Sequence, residues 1–591
     1  MSCPQNNSLM VDQPIRQNPQ SKRAAIRWQW VILIVALLLI AGTAIFMFTR
    51  GGGGPIGPAA APREVPLIDT QIYTEAVVGK PVLVNPLLAT SQADRDLVSL
   101  IYSGLTRTDA YGQPVGDLAQ SWEVSSDGLT YTFHLRPGIT WHDNQPFTAN
   151  DVAFTMSLLR DPKFPGPSDV GAFWRTVETY ALDDQTVQFV LTQPLSAFPE
   201  YAGIGILPGH LLAGISAEDL VSDSFNLHPF GTGPLWWESL EQQGDETVVT
   251  LRPNPRFYDG VRGVKLDGLV FHFYPDSGHA FQALGPNAQG YGGLDASQLA
   301  AALNSKGLNL YSAPMPIYGA VIFNEKNTGK LPFFQEEAVR KALWLALDRQ
   351  ALVADHFGAQ AMLTNSIILP DSWAYNASLA VPPPNAQQAG QLLDAAGWVV
   401  TGSTRAKGDT RLAFTLLVPN TLDQQKLGNA IRDAWKAIGI DVTVQTLAPA
   451  DLLERLQSPG STDAGRNFDA ALVEFSQARL ADPDPYAFWH DSQIESGQNF
   501  SGFSDREMDE ALEIARSDSN GVRRTELYRS FQQDFVDHAA AILLYHPIYH
   551  YAVSCQVVGV QLSILGDPAD RFRSMPEWKI LPPNALADAC P

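Results

Sequence analysis

The segment from Leu118 to Leu159 constrains the fold of this 591-residue chain more than any other. From Leu129 to Leu135, apolar side chains alternate with polar ones, which is the period of a half-buried strand. The preceding pair Asp127-Gly128 suits a tight hairpin turn, because Gly tolerates positive φ. Thr148 and Asp151 form a capping-box pattern that opens a helix. The segment therefore predicts a hairpin followed by a helix.

The same segment carries a dense series of short motifs, namely Leu118-Ala119-x-x-Trp122, Leu135-Arg136-x-Gly138, Trp141-His142-Asp143 and Phe147-Thr148-Ala149-x-Asp151-Val152. This series resembles the signature of the extracytoplasmic solute-binding proteins of peptide/nickel-type ABC importers, known as bacterial solute-binding family 5. One departure is Asn144, where the family usually has Gly. Since Asn also visits the left-handed region, we expect a conservative turn substitution.

The resemblance extends from about Ile72 to Cys590 through further motifs, including Gly231-Thr-Gly-Pro234, Ile322-Phe323-Asn324 and Leu392-Leu-Asp-Ala-Ala-Gly-Trp398. It implies an α/β, two-lobed fold like that of periplasmic binding proteins (type II, cluster C), with an extra small lobe. The implied boundaries are 68–320 and 545–591 for lobe I, about 108–228 for the small extra lobe, and 321–544 for lobe II. Two lobes joined by crossing strands close on a ligand by hinge motion.

Residue patterns in the second half of the chain predict an α/β arrangement independently of the family resemblance. They indicate strands over 412–418, 440–446 and 468–475, and helices over 422–438 and 451–456. Gly439 is placed to end the longer helix as a C-cap. Strands that alternate with helices favour a parallel or mixed sheet.

The N-terminus predicts a membrane anchor that precedes the fold. Residues 28–49 form an uncharged apolar run long enough to span a bilayer as a helix. Basic residues concentrate before the run, so residues 1–27 are expected in the cytoplasm and the large body outside the cell membrane. A Gly/Pro-rich linker follows over 50–67. The alternative is a cleaved signal peptide, although no small-x-small site follows the run closely.

Charge and cysteine content narrow the environment. The net charge is −22, which argues against nucleic acid as a partner, because nucleic-acid binding needs clustered Lys and Arg. Cys3 falls on the expected cytoplasmic side. Cys555 and Cys590 both fall outside, where disulfides persist, so a bridge between them and two separate thiols are both open.

The candidate ligand contacts cluster after the strand over 468–475. In peptide-binding relatives an aromatic residue of this strand and loop packs on the ligand, which points to Phe475, Tyr486 and Trp489; Tyr102, in the family's opening motif, joins the set. The alternative is that these aromatic rings belong to the core. Those relatives also place an Asp against the peptide ammonium, where this chain has Ala478 or Arg479. A buried ammonium would then need Glu474 or Asp482 as its partner.

The resemblance implies a solute receptor that passes its cargo to ABC permease subunits, with an oligopeptide as the first candidate and an oligosaccharide or a metal chelate as alternatives. The alternatives in other classes are a secreted hydrolase and a sensory ectodomain. No nucleophile-elbow, P-loop or four-Cys pattern appears, so we expect no catalytic residue, cofactor or resident metal. His546 and His550 are spaced four apart, but Pro547 and the adjacent Tyr549-His-Tyr551 favour a strand over a metal-binding helix.

Overall fold

A computed structural model describes residues 71–244, 246–327, 329, 331–460, 466–477, 482–495, 497–518 and 520–582. The expected cytoplasmic tail, membrane anchor and linker over 1–67 lie outside these residues, as do Ala478, Arg479 and Cys590. Within the described ranges, no helix combines the length and the apolar character needed to cross a membrane.

Two groups of hydrophobic clusters define two lobes. The clusters of lobe I are built from residues 73–317 and 549–580. Those of lobe II are built from residues 318–545. The chain therefore leaves lobe I near residue 317 and returns to it near residue 546, and both crossings lie in paired strands.

The crossing strand Ile542–Ser554 belongs to both lobes. In lobe I it pairs antiparallel with Leu308–Pro314, in the register Leu308 opposite Ser554. In lobe II it pairs antiparallel with Ile317–Phe323. Between the two pairings, the Met315 amide donates to the Pro547 carbonyl over 2.8 Å. This backbone ladder makes the hinge between the lobes.

One mixed sheet runs through the described part of the molecule. Its strands, in spatial order, are Asp441–Leu447, Ala413–Pro419, Ala470–Ser476, Ile317–Phe323, Ile542–Ser554, Gly290–Gly292, Ile72–Val78, Gly268–Tyr274, Glu246–Pro253 and Leu235–Gln243, with Leu308–Pro314 and Ala361–Leu363 also paired to the crossing strand. Parallel pairs join Ala413–Pro419 to both of its neighbours. Lobe II thus has the mixed α/β sheet that the residue patterns predict.

Lobe I carries a second, antiparallel sheet in the order Ala119–Val124, Thr130–Leu135, Thr186–Leu191 and Val177–Asp183. A short hairpin, Thr106–Thr108 with Pro114–Gly116, precedes it. The helices of this lobe are Gln92–Ile101, Ala149–Arg160, Ser168–Trp174, Phe198–Tyr201, Ser277–Ala283 and Ala296–Leu303. Short 3-10 turns occupy Glu218–Ser222, Ser224–Leu227 and Gly260–Arg262, and the longer 3-10 segment Pro568–Glu577 returns to lobe I near the end of the described chain.

Lobe II is covered by the helices Glu337–Leu345, Arg349–Phe357, Ala386–Ala395, Leu422–Ala437, Pro449–Gln457, Tyr486–Trp489, Arg506–Ser517 and Gly521–Asp537. Its 3-10 turns are Pro332–Gln335, Gly358–Gln360 and Asp491–Gln493. Two small sheets complete the described elements: Val399–Thr401 with Thr404–Lys407 and Thr410–Arg411 in lobe II, and Val557–Val558 with Lys579–Ile580 in lobe I.

The elements predicted for the opening segment are confirmed. The strand Thr130–Leu135 alternates between half-buried and buried residues. The helix Ala149–Arg160 begins with the predicted capping box, in which Thr148 and Asp151 satisfy each other's backbone amides. Asn144 has a φ of 72°, so it adopts the left-handed turn conformation expected where the family has Gly.

Candidate functional site

Phe475 lies inside the core of lobe II. Its side of the strand Ala470–Ser476 faces other apolar residues, and only 4% of the residue is exposed. The ring stacks on Tyr318 with centroids 5.2 Å apart and meets Phe488 and Trp489 at 5.1 and 5.7 Å. Protein groups therefore enclose this ring in the described structure.

Two further aromatic candidates are packed in the same manner. Trp489 is buried, its indole N–H donates to the Tyr318 hydroxyl over 2.9 Å, and its ring meets Phe535 edge-on at 4.6 Å. Tyr102 is buried in lobe I, where its hydroxyl donates to the Val84 carbonyl over 3.3 Å. Burial raises the pKa of Tyr102 above its usual value.

Glu474 points to the opposite side of the strand from Phe475, because successive side chains alternate. Its carboxylate accepts a hydrogen bond from the Tyr545 hydroxyl over 2.7 Å and one from the Gln424 amide over 3.4 Å. The residue is exposed. Its described partners therefore belong to lobe II and to the crossing strand.

Asp482 lies at the boundary between the lobes and is buried. Its carboxylate pairs with the Arg524 guanidinium and accepts a hydrogen bond from the Tyr528 hydroxyl over 3.1 Å. Its backbone N–H donates across the lobe boundary to Glu200, over 3.3 Å. Among the six predicted contacts, Asp482 lines a cavity between the lobes.

That cavity has a volume of about 310 Å³. Lobe I and lobe II both contribute to its wall, which consists of Gln113, Pro114, Ser196, Ala197 and Glu200 from the first and Trp373, Asp482, Gly521 and Arg524 from the second. Cavities that receive small molecules typically lie between lobes or domains and present a few well-placed polar groups. This cavity is therefore the candidate ligand site.

Direct hydrogen bonds hold the two lobes together beside the cavity. The Ser196 N–H donates to the Arg516 carbonyl over 3.1 Å, and its hydroxyl donates to the Asp518 carbonyl over 3.0 Å. Both carbonyls belong to the end of the helix Arg506–Ser517. The two lobes therefore contact each other directly beside the cavity.

A half-buried ion pair positions this helix end. Arg516 lies 3.2 Å from the Asp484 carboxylate, and its guanidinium sits 4.3 Å from the centre of the Tyr486 ring. Tyr486 in turn stacks on His490 at 4.1 Å. Burial raises the pKa of Asp484 to about 6, although Arg516 opposes the shift. Tyr486 therefore supports, through Arg516, the contact that the Arg516 carbonyl makes with Ser196 of lobe I.

The pKa of Asp484 predicts a change of stability with pH. An Asp in an unfolded chain has a pKa of about 3.9, so the native state binds this proton more tightly. The stabilisation is present below about pH 4 and is lost as the pH rises through about 6. Relative to Asp484→Asn, the native chain should lose up to about 3 kcal/mol of unfolding free energy between pH 4 and 7.

Denaturant titrations of the native protein and of Asp484→Asn between pH 4 and 7 measure this difference in unfolding free energy. Asp423→Asn is the matched control, because the Asp423 carboxylate is half exposed and faces Lys426 at 3.5 Å. Its pH profile should follow that of the native chain. Parallel profiles for native protein and Asp484→Asn would contradict the prediction.

Residues 113–497 match the sequence profile of the bacterial extracellular solute-binding proteins, family 5 Middle. The protein belongs to this family. The match covers the capping-box helix, the hinge strand Ile317–Phe323 and the segment around Asp482. Members of the family are solute-binding proteins of ABC importers, not enzymes, and this chain is therefore an extracytoplasmic solute-binding protein.

Similar proteins share most of their length with this family member. The oligopeptide-binding protein AppA of Bacillus subtilis is 28% identical over 488 residues, covering 80% of this chain and 86% of that protein. The dipeptide-binding protein of Escherichia coli is 26% identical, with 83% and 91% covered. Among solved structures, AppA in complex with a nonapeptide has a TM-score of 0.68 at 26% identity, covering 87% of this chain and all of that one. NikZ from Campylobacter jejuni in complex with Ni(L-His) has a TM-score of 0.67 at 25% identity, with the same coverage.

Metal-ligand geometry occurs once among the described residues of this solute-binding protein, where His490, Asp491 and Asp509 bring ligand atoms within 4.8 Å of one another. The His490 Nδ1 atom already accepts the Ser492 N–H over 3.1 Å, and so it caps the following turn. His546 and His550 lie on the crossing strand and are buried, as the sequence predicts for a strand. The His546 ring bonds the Ile317 carbonyl at 2.6 Å, which assigns it to the hinge.

Cys555 is buried and forms a disulfide. Cys590 lies outside the described residues, and its pairing with Cys555 stays a prediction. Apart from Asp482, the other eight residues of the cavity wall were not among the predicted contacts, and they include Gln113, Ser196, Glu200 and Trp373. They come from loops and helix ends that carry no periodic pattern, and only folding brings them together.

Proposed function

We propose that this solute-binding protein binds oligopeptides in the cavity between its lobes and delivers them to an ABC permease. AppA, with 28% identity, is an oligopeptide-binding protein and has been solved with a nonapeptide. The observation that carries the proposal is the wall of the cavity, which combines the carboxylates of Glu200 and Asp482 with the guanidinium of Arg524. Asp482 and Arg524 pair with each other, so the wall offers a peptide polar hydrogen-bonding groups of both signs.

A ligand-class screen tests this proposal. Ligands that bind the native state raise its melting temperature by mass action. We expect a pool of mixed-sequence tetrapeptides to nonapeptides to raise the melting temperature of the full chain, and neutral oligosaccharides to leave it unchanged. A rise only with oligosaccharides, or only with nickel and histidine as suggested by NikZ, would contradict the peptide assignment.

Arg524 provides a variant for the same screen. Its Nε donates to the Ala515 carbonyl over 2.6 Å, and a terminal guanidinium nitrogen pairs with Asp482. These two contacts hold the guanidinium at the cavity wall. Loss of a charged hydrogen bond costs about 1.5–3 kcal/mol, so Arg524→Gln should weaken peptide binding roughly 10- to 100-fold. Arg523→Gln is the matched control, because Arg523 is more than half exposed and pairs with Asp518.

We further propose that residues 28–49 anchor the protein in the cell membrane, with the body outside. The support is the uncharged apolar run and the basic residues before it. Full-length protein should fractionate with membranes, and deletion of residues 1–50 should release a folded body into the soluble fraction. Mass spectrometry of the mature N-terminus checks the result, since a start near Ala61 would contradict the anchor and favour cleavage.

A further inference from the structure

A smaller cavity lies beside the candidate ligand site, and the two share two wall residues. Gln113 of lobe I and Trp373 of lobe II border both the cavity of about 310 Å³ and a smaller one of about 30 Å³. The two spaces therefore adjoin each other at this pair. A solute longer than one cavity would pass between Gln113 and Trp373.

The chemistry of the two walls differs. The wall of the larger cavity contains the charged groups of Glu200, Asp482 and Arg524 beside apolar residues such as Pro114 and Ala197. The smaller cavity is lined chiefly by Tyr111, Pro314, Leu369 and Ile564, with Asp371 and Ser372 also at its border. The first wall favours charged or hydrogen-bonding groups, and the second favours an apolar group.

Both residues at the junction are held in place. The indole of Trp373 lies 5.1 Å from the Arg524 guanidinium and meets the Tyr528 ring edge-on at 5.7 Å. Gln113 ends a tight turn in which the Asp109 carboxylate accepts the amides of Tyr111 and Gln113, over 2.8 and 2.9 Å. Contacts within each lobe therefore fix both sides of the junction.

We propose that the bound solute spans this junction, with a charged group in the larger cavity and a small aliphatic group in the smaller one. A water needs about 10–15 Å³ of such volume, so a cavity of about 30 Å³ favours an aliphatic group of roughly two or three carbons over an aromatic ring. The inference rests on the proposed peptide-binding function and adds a side-chain preference to it. Leu369 and Trp373 act as the specificity-determining residues for that position.

The test uses the full chain and a synthetic library of random hexapeptides. Peptides retained by the protein are released and sequenced by mass spectrometry, which gives both the retained amount and the residue preference at each position. We expect Ala and Val to be enriched at one position, by about fourfold for each carbon that the cavity takes, and Phe and Trp to be depleted there.

Two variants change the smaller cavity in opposite directions. Leu369→Trp fills it and should abolish the enrichment of Ala and Val. Trp373→Ala joins the two spaces and should admit large side chains at that position. Because Trp373 is only half-buried, we expect this variant to fold, so it tests the proposal even if Leu369→Trp does not fold. Leu422→Trp, at an exposed helix start, is the matched control and should keep the native preference.

The outcomes separate the inference from the function on which it rests. Retention of peptides without a positional preference, or with the same preference in Trp373→Ala, overturns the two-cavity assignment and leaves peptide binding intact. Retention of no peptide by the native chain overturns the proposed function and this inference with it.

Discussion

Replacing Arg571 with Met is expected to destabilise lobe I by about 3–5 kcal/mol at neutral pH, because two buried carboxylates would lose their cation. Arg571 Nε donates to Glu75 over 2.9 Å, and its two terminal nitrogens donate to both Asp96 oxygens over 2.8 and 2.5 Å. All three side chains are at most 3% exposed. Tyr73 and Tyr551 complete the network by donating to Glu75.

The network ties three distant parts of the chain together. Glu75 lies on the strand Ile72–Val78, Asp96 on the helix Gln92–Ile101, and Arg571 on the returning segment Pro568–Glu577. Burial already raises the pKa of Glu75, and Arg571 opposes that shift. Without the Arg571 cation, only protonation removes the free-energy cost of the buried negative charges. The destabilisation should therefore shrink as the pH falls from 7.5 towards 5.

Denaturant unfolding of the native chain and Arg571→Met at several pH values measures this effect. Arg252→Met is the matched control, because Arg252 pairs with Glu238 over 2.7 Å while both side chains are about a third exposed. Exposed pairs contribute about 0–1 kcal/mol. Equal losses for the two variants, or a loss that does not depend on pH, would show that the buried network does not stabilise lobe I in this way.

Local patterns predicted much of the fold because their physical causes are local. The strand Thr130–Leu135 follows from alternation, and the start of the helix Ala149–Arg160 follows from the reciprocal capping of Thr148 and Asp151. In lobe II, the predicted helix over 422–438 is observed at Leu422–Ala437, with Gly439 at a φ of 85° after it. The two-lobed arrangement was predicted by family resemblance and is confirmed by similarity to solved structures.

The cavity was much harder to predict, because its wall is assembled from distant segments. Gln113, Glu200, Trp373 and Arg524 lie on separate stretches of both lobes, and no local period relates them. Asp482 was predicted as a possible partner of a peptide ammonium, whereas its observed partner Arg524 lies 42 positions away. Contacts of this kind depend on how the lobes meet, and that information is not local.

Phe475 illustrates a second limit of sequence patterns. The strand Ala470–Ser476 lies between two other strands and is covered on both faces over most of its length, so five of its seven residues are buried. An aromatic residue at its end has the same sequence appearance in a core and at a ligand site. The two roles differ in what encloses the ring, and here Tyr318, Phe488 and Trp489 surround it.

Replacing Phe475 with Ala is therefore expected to lower the stability of the ligand-free protein by about 3–5 kcal/mol, the usual cost of removing a buried Phe ring. Peptide affinity should change little, since the ring does not border either cavity between the lobes. A melting curve without ligand and a titration with a peptide retained in the library screen measure the two effects separately. Tyr180→Ala, at a half-exposed ring in lobe I, is the control for loss of an aromatic side chain.

The opposite result would support the predicted contact of Phe475 with the ligand. A ring that contacts ligand at a binding hot spot contributes about 2 kcal/mol or more to affinity, so its removal would weaken binding at least roughly 30-fold and spare the ligand-free melting temperature. A loss in both measurements would have a different cause: a weakened lobe II core lets the walls of the cavity shift. Phe475→Leu separates these cases, because Leu refills most of the core volume but cannot replace an aromatic contact with the ligand.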